Sequence, residues 1–247
     1  MVKIFSIDSY VLLQKLNNEA TTLYIPVIAF LSVSLFIGTF GNLLVIIIYT
    51  YRQKKSSSDY FILCLSFLDL ITCFAGIPLE ITDLCLSYTF YLAIVCKLRA
   101  IEYWTNTSSA ALLVVISIDR YKRICQYGKK IRNKTAKMLC FMSLLIGGLL
   151  SWPAAIILGT KTVDLQIPRI NGSDCAHSEE MKKSAFVLVS YIVGLLCFFT
   201  CVVFLTVVYV KILLFIAKAK TLKRKKFRKF ELSWEIQCRY QFPTCAH

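Results

Sequence analysis

Three acids in this chain stand where acids are costly. Asp69 is the one charge between Tyr60 and Leu79, Glu102 stands just before the uncharged run Tyr103 to Ile118, and Asp119-Arg120-Tyr121 follows that run. A charge at the centre of a membrane helix costs ~2.5–3.5 kcal/mol on insertion scales, so such residues face a partner or a water-filled cavity. Asp69, with Asn42 and Ser109 at similar depth, has the chemistry of an ion site or a switch, against the plainer role of an acid hydrogen-bonded for helix packing. Asp119-Arg120-Tyr121 is an acid–base pair at a helix end. On its own it fits an ordinary charged terminus whose arginine reaches toward lipid headgroups. Enzyme chemistry is not indicated: the two histidines, His177 and His247, belong to no metal-ligand cluster, and no nucleophile–base pair stands at a useful spacing.

The elements that must position these residues are apolar helices. Of the 247 residues, 57% are hydrophobic, against about 45–50% in soluble domains. Leu23 to Tyr51, Met138 to Thr160 and Ser184 to Val210 hold no charge at all. A helix needs ~20 apolar residues to cross a bilayer core. Five spans are expected, at about 23–51, 60–79, 91–118, 138–160 and 184–217, the third partly polar because it carries Lys97, Arg99 and Glu102. Residues 1–22 are expected as a short outer segment without a removable signal peptide, and 218–247 as a basic inner segment. The tail after Lys229 shows no helical apolar face.

The net charge of +15 is distributed by side. Most of the 29 basic residues follow the first span, surround the gap between the third and fourth, or follow the fifth. Under the positive-inside rule this places the N-terminus outside and the C-terminus inside. The basic balance is thus a topology signal, nucleic acid is not an expected partner, and the bilayer is. Lys220 to Lys229 reads as a topology anchor on anionic lipid, worth ~1 kcal/mol per basic residue near the surface. Of eleven cysteines, only Cys85, Cys96 and Cys175 reach the oxidising outer side, where two can pair. Asn171-Gly172-Ser173 is an N-glycosylation acceptor pattern on that same side. Asn106-Thr107-Ser108 and Asn133-Lys134-Thr135 share its form but fall within a span and inside.

In this order and on these sides, the motifs resemble rhodopsin-like (class A) G-protein-coupled receptors. Gly41-Asn42-Leu43-Leu44-Val45 is similar to the family's first-helix motif, Leu65 to Asp69 to its second, and Ser117-Ile118-Asp119-Arg120-Tyr121 to its third. Ser151-Trp152-Pro153 stands near the usual fourth-helix proline, and Tyr209, followed by Ile212, resembles the fifth-helix tyrosine. The resemblance covers about residues 24–220 and implies an all-α transmembrane bundle, the first five helices of a seven-helix receptor. It implies a disulfide between Cys96 and Cys175. It assigns Asp119, Arg120, Tyr121 and Tyr209 to the G-protein-coupling switch, with Asp119 holding Arg120 at rest. Asn42, Asp69 and Ser109 fall to an intramembrane polar site that is a candidate for sodium; no other cofactor is implied.

Glu102 precedes Arg120 by 18 positions, five turns or roughly 27 Å along one helix face, and Ser109 shares that face. The family position matching Glu102 lines the ligand pocket and is an aspartate in amine receptors. A glutamate there suits a cationic ligand, an amine or a basic side chain of a peptide; pairing with Arg99 is the structural alternative. The Asp119-Arg120-Tyr121-Lys122-Arg123 run and the longer outer loop resemble neuropeptide receptors more than amine receptors. The expected function is a plasma-membrane receptor coupling an extracellular ligand to a heterotrimeric G protein. A transporter or channel fits less well, because paired mid-membrane charges and repeats are missing.

The sequence also departs from the family. Cys96 is one residue closer to Arg120 than the usual interval, Leu144 stands where the fourth-helix tryptophan is expected, and Cys201 stands eight residues before Tyr209 in place of a proline. The resemblance ends after the fifth helix. The chain therefore reads either as a truncated, non-signalling form that pairs with full-length receptors or is degraded, or as the product of an incomplete gene assignment.

Overall fold

The structure, a computed structural model, describes residues 2–126, 128, 130–164, 171–177 and 184–241, and the side chains of these from Val11 onward other than Asp164, Leu232 and 235–241. The residues 242–247, with Cys245, lie outside the described residues, as do Tyr127, Lys129 and the loop positions 165–170 and 178–183. Seven α-helices and one two-stranded sheet make up the described chain: α1 Val2–Tyr51, α2 Ser57–Ile71, α3 Ile77–Cys85, α4 Ala93–Leu98, α5 Ala100–Cys125, α6 Asn133–Ile157, β1 Leu158–Asp164, β2 Asn171–His177 and α7 Ala185–Gln241. This is a partial transmembrane helix bundle. It divides into two compact parts, residues 1–116 with 131–201 and residues 117–130 with 202–247.

Four helical stretches are long and apolar enough to cross a membrane: Val11–Tyr51, Ser57–Cys85, Asn133–Ile157 and Ala185–Glu231. The third expected span is α5, which has the length, 26 residues, but not the apolarity. It is lined instead by buried small polar residues, with Thr105, Ser108 and Ser117 all fully enclosed. Such side chains let helix backbones approach closely in lipid, where apolar surfaces gain nothing by leaving one solvent for another. Around α5 the first part packs Phe61 and Leu68 of α2, Leu112 of α5 and Ala136 and Cys140 of α6 into one buried cluster.

Several boundaries differ from the expected ones. Residues 2–22 are helical and continue into α1 without a break, since neither glycine nor proline precedes Pro26. The second span runs past Leu79 to Cys85, through a π-helical turn Thr72–Gly76. Its cause is Pro78, which has no N–H to return to the carbonyl four residues back and whose ring crowds that carbonyl. The Ile77 N–H reaches Thr72 instead, and the wide turn rotates α3 by about one residue, roughly 100°, relative to an unbroken helix. α6 gives way to β1 at Ile157, three residues before the expected end. α7 continues to Gln241, so the tail after Lys229 is helical rather than irregular. Its continuity follows from composition, because no proline falls within it and no glycine follows Gly194.

β1 and β2 form an antiparallel hairpin with Thr160 opposite Cys175. The hairpin is held on the helix ends by Ser173: its backbone N–H donates to the Tyr88 carbonyl at 2.9 Å, and its hydroxyl donates to the Phe90 carbonyl at 2.5 Å. Asn17 of α1 joins the same region, donating to the Cys85 carbonyl at 2.5 Å and accepting from the Tyr88 N–H at 3.2 Å. The predicted outer segment is therefore part of the scaffold at the hairpin end.

Candidate functional site

At the hairpin end a disulfide joins Cys96 of α4 to Cys175 of β2 across a Cα separation of 5.5 Å. Both residues are buried, and Phe90 and Leu158 pack over them. Cys85, the third cysteine of that side, is free. The one-residue shortening between Cys96 and Arg120 is thus no bar to the bond. α4 is a separate short helix joined to α5 at Arg99, and the junction adjusts the position of Cys96.

Arg99 occupies that junction. Its guanidinium forms an ion pair with Glu80 and a second with Asp83, the latter at 2.7 Å, both acids belonging to α3. One of its nitrogens also lies 3.7 Å from the Cys175 sulfur. Arg99 therefore ties α3, α5 and the disulfide together. Sequence reasoning missed Glu80 and Asp83, placing both in a loop. The available signal was their three-residue spacing behind Pro78, which on a helix puts two acids on one face.

Glu102, the predicted pocket acid, lies one turn further along α5. It is half-buried, and its side chain packs on the π-helical turn: a Cβ added to Gly76 would stand 3.3 Å from Glu102 Cγ. Among the described residues Glu102 has no ion pair, because Arg99 is committed to Glu80 and Asp83. The pairing of Glu102 with Arg99, considered as the structural alternative, is not formed.

Deeper in the first part, Thr72 and Thr105 share a hydrogen bond of 2.9 Å between α5 and the π-helical turn. Asp69 is half-buried one turn below. Asn42 donates to the carbonyl of Gly38 in its own helix at 3.0 Å, and no hydrogen bond among the described residues joins Asn42, Asp69 and Ser109. On the other side of α5, the Trp104 indole donates to the Leu144 carbonyl at 3.2 Å and Thr107 to the Gly147 carbonyl at 3.2 Å. The tryptophan missing from the fourth helix at Leu144 is thus replaced by one reaching across from α5.

In the second part, Asp119 is 1% exposed and accepts from Arg123 Nε at 2.8 Å. The expected partner was Arg120, which is exposed. This is a correction with a simple cause: adjacent helix residues project about 100° apart, whereas residues four apart lie on one face. Tyr121 is half-buried, Tyr209 is 43% exposed, and Ile212 is buried. Asn171, the glycosylation candidate, is exposed at the start of β2.

Comparison with known proteins fits this arrangement. The profile of the 7 transmembrane receptor (rhodopsin family) matches residues 41–238. The human type-1 angiotensin II receptor is 35% identical over 132 residues, 51% of this chain and 36% of the receptor. The alpha-2B adrenergic receptor of Talpa europaea is 29% identical over 127 residues, 49% of this chain and 32% of that protein. The probable G-protein coupled receptor 63 of Mus musculus is 27% identical over 136 residues, 54% of this chain and 31% of that protein. The matched stretch spans about a third of the length of these curated relatives. With the profile matching most of this chain, and the disulfide and helix order in place, this chain belongs to the rhodopsin family of 7 transmembrane receptors.

Proposed function

We propose that the chain is the ligand-binding part of a plasma-membrane receptor, N-terminus outside, that signals through heterotrimeric G proteins and recognises an extracellular ligand through a cationic group placed at Glu102. The observation that carries this reading is the division of labour among the acids: Glu80 and Asp83 form the ion pairs with Arg99, and Glu102 forms none among the described residues. A half-buried acid without an ion pair at the ligand end of a membrane helix favours a charged partner from outside the chain. The hairpin, tied down by a disulfide and by Ser173, supports a peptide ligand, since it offers fixed backbone and side chains next to Arg99, one turn from the acid. The alternative is an amine held by Glu102 alone. The relatives, named for angiotensin II, for an adrenergic receptor and for 5-hydroxytryptamine, fall on neither side.

Coupling is assigned to Arg120, exposed beside Asp119, with Tyr121 and Tyr209 completing the switch. For Asp69, Asn42 and Ser109, whose side chains carry the oxygen atoms that hard cations favour, we propose a sodium site; sodium should then lower agonist affinity in the parent and not in Asp69→Asn.

The test is Glu102→Gln in the receptor carrying all seven helices. Affinity for cationic peptides and amines should fall at least tenfold while surface expression stays near the parent. Equal affinity would sink the counterion role, and selective loss of amines alone would favour the second ligand class.

A further inference from the structure

α7 does not end where its uncharged stretch ends. That stretch stops at Val210, and the helix runs on to Gln241. Residues 218–229 hold eight lysines and arginines and no acid. Into this basic helix are set Phe227, Phe230 and Trp234, spaced three and four apart and therefore on one face. They are 63%, 67% and 64% exposed. Leu222, also exposed, lies about 80° from Phe230, 120° from Trp234 and 140° from Phe227 around the helix, at the side of this stripe.

The bilayer does not reach the stripe. Phe227 and Trp234 follow Ala217, the end of the expected span, by 10 and 17 residues, or ~15 and ~26 Å along a continuous helix. The headgroup layer is only about 5–8 Å deep on each side, and even a tilt of 40° leaves Phe227 roughly 11 Å from the end of the span along the membrane normal. A second copy of α7 would set eight positive charges against eight. What matches both the charge and the spacing is an acidic partner with an apolar groove, the helix-in-groove mode read from anchors at i, i+3 and i+7.

We propose that Phe227, Phe230 and Trp234 are the anchors by which an acidic EF-hand protein, opened by Ca2+ to expose an apolar groove, binds the extension of α7. The inference rests on the proposed placement of this end inside the cell only for its biological access to such a partner. The binding itself is tested with the whole chain in nanodiscs of zwitterionic lipid, where both faces are open, using calmodulin as the probe. Saturable binding is expected with Ca2+ and none with a chelator. Phe227→Ala and Trp234→Ala should each weaken it at least tenfold, Leu222→Ala less than twofold, and the Trp234 emission should shift to the blue on binding. Three results would each overturn the proposal: binding indifferent to Ca2+, anchor variants that bind like the parent, or binding absent here while anionic nanodiscs alone shift the Trp234 emission. Protease access to residues 218–234 in sealed vesicles reports the orientation separately, so the failure of the topology and the failure of the anchors are told apart.

Discussion

Arg123 redefines what Asp119 and Arg120 do. Asp119 is nearly fully enclosed and held by Arg123, and Arg120 projects outward. Stability and signalling should therefore separate at two neighbouring basic residues. Removing one partner of a buried ion pair costs on the order of 3 kcal/mol, because the other charge stays buried. Removing an exposed arginine costs about 0.5 kcal/mol or less. In detergent-purified protein Arg123→Ala should lower the melting temperature by several degrees, and Arg120→Ala should leave it nearly unchanged. In a receptor with all seven helices the order reverses for coupling: Arg120→Ala should abolish G-protein activation at measurable surface expression. A melt in which Arg120→Ala is the more damaging variant would show that the observed pair is not the one that matters.

Between helices, a close approach is at Gly147 of α6 and Ser108 of α5. A Cβ on Gly147 would overlap the Ser108 hydroxyl and come within 2.8 Å of the Ser108 backbone nitrogen and 2.9 Å of its Cα. The nitrogen and Cα belong to the backbone, so no rotamer change relieves the overlap. Even Gly147→Ala should cost about 1–3 kcal/mol, read as a fall of several degrees in the thermal transition. Gly194→Ala, where nothing stands within 4 Å, should be neutral or slightly stabilising.

Element scale is also where the limits of sequence reading show. The apolar spans were legible because lipid imposes length and composition directly. The disulfide was legible through the family resemblance, which singled out Cys96 and Cys175 from the three cysteines of that side. The acids bound to Arg99 were not, since they depend on a π-helical turn that moves α3 by one residue, and hydropathy does not register such a turn. The compensation at Leu144 was hidden for a related reason: Trp104 and Leu144 meet through tertiary packing, 40 residues apart. The helical tail was missed because its apolar face was sought after Lys229, whereas the stripe begins at Phe227.

For the whole molecule, the prediction concerns the direction in which it crosses the membrane. The family places it in the bilayer, and the positive-inside rule predicts the hairpin outside. Asn171 offers a direct check, since glycosyl transfer takes place only on the side that becomes extracellular. The full chain made in mammalian cells should lose mobility shift on deglycosylation, and Asn171→Gln should remove the shift. A sugar at Asn133 instead would invert the topology.

The same hairpin imposes an order in time. The acceptor pattern ends in Ser173, whose hydroxyl is spent on the Phe90 carbonyl and whose residue is only 9% exposed once the strands are in place. The modifying enzyme can read that hydroxyl only while the segment is still open. Occupancy at Asn171 thus acts as a clock, recording whether sugar transfer or closure of the hairpin came first. Delaying closure with a reductant that keeps Cys96 and Cys175 apart should raise the glycosylated fraction.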